Sequence, residues 1–364
     1  MRPLGTSVVL AVLAASCGGG SRLALNPGDD AGPSAQNDAG PPPPSDAGTM
    51  PDGGTPTPDG GRVRDGGVTP DGGWTLTVPP PFPIYSHGVC PTLVGGPTSA
   101  TALNTGFATG NETRQFRLLV PSNYDGGAWP VVFGWHWLNS SSNSFVSEGE
   151  LESATEQMHF LAALPDKLTD DAGNRVYLFD WPFVDPLEAP KEILFFDDML
   201  ACISQQYNVD RSKVYAIGVS AGALWVTYLS TTVEADRFAA VESLSGGLGE
   251  DPTGTWKINY VPQANKFPAI VLWGGPFDWL IINFNQASQR YRDALLADHH
   301  FVVQCEHDAG HAIPPIPSPT DGGTRFAPLW QFMLDHPYGL PPGYSPYLQT
   351  GLPSSFPPWC SIAK

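Results

Sequence analysis

The chain has 364 residues, with 40 glycines and 39 prolines, and 18 basic against 36 acidic side chains leave it with a net charge of −18. Such an excess of negative charge repels phosphates and the anionic face of a membrane, which argues against nucleic-acid binding. Much of the glycine and proline is crowded into the first eighty residues, so one region at 80–364 remains to form a single large core.

The N-terminus reads as an export signal. Arg2 supplies a positive start, Ser7 to Ala15 an apolar stretch too short to span a membrane, and Ala14-Ala15-Ser16 the small residues required before cleavage. Because Cys17 follows at once, the segment resembles a bacterial lipoprotein signal. That resemblance implies a signal peptide at 1–16 and Cys17 as an acylated first mature residue. Contact with a membrane is then expected only through this N-terminal lipid.

Residues 17–79 repeat Asp-Ala-Gly and Asp-Gly-Gly, with Asp52, Asp59, Asp65 and Asp71 at spacings of seven, six and six. Calcium loops need six to eight convergent oxygens on neighbouring structure. This arm has hardly any apolar residue to fold around, so it is expected to be a solvated tether, stiffened where Pro41 to Pro44 run together.

From Gln115 onward short apolar runs alternate with amphipathic stretches, the rhythm of an α/β fold. Phe116 to Val120 and Val131 to Trp135 read as strands. Phe195, Phe196, Met199, Leu200, Ile203 and Tyr207 mark one helix face. Val214 to Ile217 reads as a buried strand, Ala223 to Leu229 as a helix, and Ala239 to Leu244 and Ala269 to Trp273 as further strands. An amphipathic helix ends at Leu295, and Phe301 to Val303 forms a last short strand. The order predicts a mostly parallel central sheet with helices on both faces and its chemistry at the carboxyl ends of the strands.

At the end of the strand Val214 to Ile217 stands Gly218-Val219-Ser220-Ala221-Gly222, followed by a helix. A nucleophile elbow requires this strand, turn and helix context. A serine hydroxyl needs a base to take its proton, and the base needs an acid to fix its tautomer, so Ser220 calls for partners later in the chain. Asp278, on the loop after the strand Ala269 to Trp273, is the expected acid, with Asp308 as its rival. His311, after the last strand, is the expected base, with His307 as the alternative. Gly310 and Pro314 argue against a helical zinc site at His307 and His311, and with His299 and His300 taken as exposed no metal is expected. Asp293 and Asp298 read as a solvated helix face. The oxyanion donors are expected to be the Ala221 N–H and one from the loop after Trp135, at Trp137 or Leu138, with His136 ordering that loop.

With these residues placed, the region from Thr113 to Pro337 resembles the exported polyhydroxybutyrate depolymerase and feruloyl esterase group of α/β hydrolases. The shared motifs are Phe116 to Pro121 with Asn123-Tyr124, the histidine loop at 136, Phe196-Asp197-Asp198 leading to Val209-Asp210-Arg211, Gly275 before Asp278, and Gly310-His311 near Pro314. The resemblance implies Ser220, Asp278 and His311 as a triad that cleaves carboxylic esters through an acyl-enzyme without a cofactor. The substrates it suggests are polyhydroxyalkanoate, feruloyl or acetyl-polysaccharide esters, some of them polymeric. One departure is Trp137, where the family has glycine. A serine peptidase on the same triad and a non-catalytic surface-binding module are the alternatives. Trp135, Trp137, Trp273 and Trp279 lie near these loops, as active-site walls or as core. Beyond Cys17, the cysteines Cys90, Cys202, Cys305 and Cys360 suggest two disulfides in one of three pairings.

Overall fold

The computed structural model describes residues 66–68, 74–76, 78–250, 254–317, 319 and 322–364. The expected signal at 1–16, Cys17 and most of the arm at 17–79 lie outside the described residues. Within the arm, β1 (Gly66–Val68) pairs antiparallel with β2 (Trp74–Leu76).

The sheet is built from β3 (Leu103–Thr109), β4 (Glu112–Leu119), β5 (Trp129–Trp135), β6 (Leu161–Pro165), β7 (Val209–Val219) and β8 (Ala240–Leu244). A two-stranded ribbon, β9 (Gly249–Glu250) with β10 (Lys257–Ile258), precedes β11 (Ala269–Trp273), β12 (Val302–Glu306) and β13 (Cys360–Ile362). Nine strands lie in the order β13-β12-β11-β8-β7-β5-β6-β4-β3. The run from β6 to β12 is parallel, and β3, β4 and β13 join antiparallel at the margins. The helices are α1 (Ser142–Glu148), α2 (Leu151–Met158), α3 (Ala189–Gln206), α4 (Ala221–Leu229), α5 (Phe284–Ala297), α6 (Ala327–Asp335) and α7 (Tyr347–Thr350). None of the described helices is long and apolar enough to cross a membrane.

Strand alternation divides the interior in two. Val131, Phe133 and Trp135 of β5, with Val271 and Trp273 of β11, face α3, α4 and α5 through Phe196, Trp225 and Tyr291. Val132, Ile270 and Leu272 point the other way, toward Phe145 of α1, Ala154 of α2 and Trp330 of α6. Helices therefore cover both faces, as the alternation of runs predicted. The helix expected around Phe195 to Tyr207 begins earlier, at Ala189, because Pro190 is tolerated in a first turn. The strand expected at Val214 to Ile217 extends back to Val209, which pairs with Trp129 across a register shift.

Two disulfides join distant segments: Cys90 to Cys202 of α3, and Cys305 of β12 to Cys360 of β13. The second clamps the strand that runs into His311.

One buried group stands out as unfavourable. Glu242, in the middle of β8, is fully buried, and neither carboxyl oxygen has a hydrogen-bond partner. Burial pushes its acid well above the usual carboxylate range. The folded protein therefore keeps a proton that the unfolded chain releases above about pH 4.3. Its share of stability is lost as pH rises from there, by up to about 1.4 kcal/mol per pH unit. A Glu242→Gln protein should lose less stability than the parent between about pH 5 and 7.5, as read from urea unfolding at several pH values.

Candidate active site

Ser220 links β7 to α4 in a left-handed conformation, with φ 55° and ψ −117°. A non-glycine residue held there is strained, and the surrounding packing must over-determine it. Glycines on either side make the turn sterically feasible. A β-carbon on Gly218 would stand 2.2 Å from Gly222 O, and one on Gly222 only 2.0 Å from Trp135 O. The Ser220 N–H donates to Leu244 O at 2.9 Å, tying the turn to the end of β8.

Three side chains from three loops meet above this sheet edge. Ser220 Oγ lies 2.9 Å from His311 Nε2, and His311 Nδ1 lies 2.6 Å from Asp278 Oδ1. Asp278 is fully buried and also accepts from Ser245 Oγ and Gly274 N–H, both at 2.8 Å. Burial alone would raise its carboxyl. The hydrogen bonds from His311, Gly274 and Ser245, with the imidazole charge, outweigh burial and hold it below the ordinary carboxylate range. An ionised Asp278 only accepts, so His311 carries its proton on Nδ1 and presents a bare Nε2 to the serine hydroxyl.

The loops carrying Asp278 and His311 are locked to each other through their backbones. Gly310 N–H donates to Gly274 O at 3.1 Å and His307 N–H to Trp273 O at 3.0 Å. A β-carbon on Gly274 would collide with Gly310 O at 1.8 Å, so only glycine fits. Phe284, at the start of α5, stacks on the His311 ring with centroids 4.4 Å apart and planes 18° from parallel.

The rivals lie elsewhere. His307 is buried, its Nδ1 accepts from Ala309 N–H at 3.1 Å, and it is outside the Ser220–His311–Asp278 chain. Asp308 is exposed. Two sequence expectations are corrected. His300 is buried rather than exposed, with Nδ1 2.8 Å from Phe267 O and Nε2 3.1 Å from the Tyr260 hydroxyl. Asp298 is no solvated face: it ends α5 paired with Lys266 at 2.6 Å and accepts from the Tyr260 hydroxyl at 2.7 Å. Both belong to one structural knot between α5 and the segment before β11.

Of the expected oxyanion donors, Ala221 is the first residue of α4, where a helix leaves its N–H groups without an intrahelical acceptor. The segment with Trp137 and Leu138 follows β5 directly, and the contact of Gly222 with Trp135 and His136 carbonyls brings it against the start of α4. His136 is buried. Its Nδ1 donates to Trp137 O at 2.8 Å and its Nε2 accepts from Lys167 N–H at 3.3 Å. Desolvation lowers its pKa to about 4, so it is neutral at ordinary pH. The four tryptophans divide: Trp135 and Trp273 are core, Trp137 is half-buried against Phe145, and Trp279 is 62% exposed.

Two neighbours of these three side chains were missed in the sequence, Ser245 and Phe284. Ser245 stands in Leu244-Ser245-Gly246-Gly247, and small residues just past a strand's carboxyl end were an available signal. Phe284 looks like any helix-core aromatic and gave none.

The strand order, the strained turn after β7 and the position of the three side chains define an α/β-hydrolase fold. Solved structures agree. Native sOPH matches with a TM-score of 0.56 at 16% identity, covering 78% of this chain and 97% of that one. Native pOPH matches with a TM-score of 0.57 at 16% identity, covering 72% and 94%. No family model matches the chain. Among curated proteins it is similar to Probable feruloyl esterase C of Aspergillus terreus, 27% identical over 152 residues, which is 38% of this chain and 51% of that protein. It is also similar to Feruloyl esterase D of Neurospora crassa, 25% identical over 183 residues, covering 47% and 58%. Poly(3-hydroxyalkanoate) depolymerase C of Paucimonas lemoignei is 25% identical over 202 residues, covering 50% and 48%. The chain thus spans about half the length of these relatives.

Because the folded-state pKa of Asp278 is depressed, its contribution to stability is present above its unfolded pKa of about 3.9 and is lost as pH falls through the folded value. The thermal midpoint of an Asp278→Asn protein should therefore fall less steeply than that of the parent between about pH 5 and 2, measured by circular dichroism.

Proposed function

We propose that the protein is an exported serine hydrolase that cleaves carboxylic esters. The observation that carries this reading is the unbroken hydrogen-bonded chain from Ser220 through His311 to Asp278 on an α/β-hydrolase sheet. His311 Nε2 takes the Ser220 proton as Oγ attacks the ester carbonyl. The N–H groups of Ala221 and of Trp137 or Leu138 receive the oxyanion. His311 then gives the proton to the departing alkoxide, leaving an acyl-enzyme. Water, deprotonated by His311, attacks the acyl carbon and releases the acid and Ser220.

The surroundings favour an apolar ester, including one presented on a polymer. Phe277, Trp279, Leu280 and Ile281 flank Asp278, Ile313 follows His311, and all five side chains are exposed. A β-carbon on Gly310 would lie 3.1 Å from Phe277 O, so the two loops bearing these side chains adjoin. Exposed apolar groups gathered at one site mark contact with an apolar partner. The names of the curated relatives, feruloyl esterases and a polyhydroxyalkanoate depolymerase, fit aryl or hydroxyacyl esters of this kind.

Export is supported by the N-terminal signal pattern and the two disulfides, which persist in oxidising compartments. In this reading Cys17 is acylated and 17–79 tethers a catalytic domain at 80–364.

Ser220 is expected to react with a fluorophosphonate, and the protein to hydrolyse p-nitrophenyl butyrate. Ser220→Ala should abolish labelling and lower kcat by about 10⁴-fold or more, measured by mass spectrometry and absorbance. A folded parent without label or turnover would overturn the esterase reading. The lipid is tested separately: in a bacterial host, a palmitate analogue should label the full chain and not Cys17→Ser.

A further inference from the structure

The loop after β5 carries the candidate oxyanion donors Trp137 and Leu138, yet it has no regular structure of its own before α1. It is held at His136, Asn139 and Ser140 by the segment that follows β6. Lys167 N–H donates to His136 Nε2 at 3.3 Å, and Trp181 Nε1–H donates to His136 O at 2.9 Å, its ring 4.8 Å from the imidazole. Asn139 N–H donates to Asp180 Oδ2 at 2.6 Å, and Arg175 donates to Asn139 Oδ1 at 2.6 Å. Lys167 Nζ donates to Ser140 O at 2.6 Å and lies 3.6 Å from Asp180 Oδ2. Every grip lands just before or just after Trp137 and Leu138, and none of these bonds uses their N–H groups.

The grip is built from groups that general stability does not favour. Asp180 is fully buried with φ 67°, and Asn139, its partner, has φ 60°. Only one Asp180 oxygen is bonded, and its Oδ1 is buried without a partner. A buried carboxylate with one unsatisfied oxygen, in a left-handed backbone, is an expensive way to hold a surface loop. It is a direct way to fix the loop's amide groups to tenths of an ångström. That is the tolerance an oxyanion site needs, because donors must already point at the charge before it forms.

We propose that Asp180, Trp181 and Lys167 are positioning residues that preorganise the oxyanion loop, acting on the reaction through the backbone at Trp137 and Leu138 without touching substrate. The inference rests on the esterase reading above. Its signature is selective loss of transition-state stabilisation while substrate binding stays unchanged.

The test uses the full chain with Asp180→Asn, which keeps the shape and removes the charge, and Trp181→Phe, which keeps the ring and removes the donor. Lys167→Met serves as a third variant. Folding is checked by circular dichroism and melting. With p-nitrophenyl butyrate each folded variant is expected to lose about tenfold or more in kcat with KM within about twofold. The Ki of an alkyl trifluoromethyl ketone, whose hemiketal oxyanion needs the same donors, should rise in step with the fall in kcat/KM. Folded variants that keep both kcat and Ki within about twofold of the parent overturn the positioning role while leaving the esterase reading intact. So does a loss of kcat with Ki unchanged, since the donors are then still in place. A parent enzyme without turnover or Ser220 labelling overturns the esterase reading itself, and this inference with it.

Discussion

Gly222 and Gly274 each bring the backbone so close to another segment that no side chain fits between them. Gly222 lies against the Trp135 carbonyl and Gly274 against the Gly310 carbonyl. The first contact presses the turn after β7 onto the end of β5 and so brings Ala221 against the segment that carries Trp137 and Leu138. The second fuses the Asp278 loop to the His311 loop. Four segments far apart in the chain are thereby fixed in two pairs by main-chain contact, and the Ser220–His311 hydrogen bond joins one pair to the other. A methyl group at Gly274 would have to separate loops whose hydrogen bonds are 2.6 to 3.1 Å long.

Around those contacts the hydrogen bonding is graded. Asp278, with three donors on its carboxylate, is satisfied and stays ionised. Asp180, gripping the other side of the site, is half satisfied and strained, and Glu242 beneath the elbow has nothing. The fold holds these last two beside two extensive apolar layers, with one disulfide tying β12 to β13 and another tying α3 to the segment at Cys90.

The parallel centre of the sheet was legible in the sequence because each of its main strands is an apolar run bounded by turn residues. That Ser220, Asp278 and His311 meet was legible because loop position and chain order restrict the choice. The strands β3 and β6 were not. β3 contains Gly106 and a register shift that break its alternation, and the short run Leu161-Ala-Ala-Leu-Pro has too little β-branching to separate it from a helix. Helix α6 was hidden by Pro328, which sits harmlessly in its first turn. Cysteine pairing was open among three arrangements, since only the sheet brings β13 beside β12. Ser245 and Asp180 make their contacts with residues dozens of positions away, and no local pattern records these.

The stretch from Phe277 to Ile281 joins two properties that are usually in conflict. Its backbone is pinned: Trp279 N–H bonds to Phe277 O, Leu280 N–H to Ile282 O, and Asn285 N–H to Asp278 O. Its large side chains nevertheless project into solvent, with Phe277 79% exposed. A frame that rigid, carrying groups that free, behaves as an interchangeable tread. Under the proposed reading, a descendant could adapt to a waxier or more sugary material by exchanging Phe277, Trp279 or Ile281 one at a time, with the neighbouring acid undisturbed. Such an enzyme would diversify rapidly in what it clings to and slowly in what it cuts.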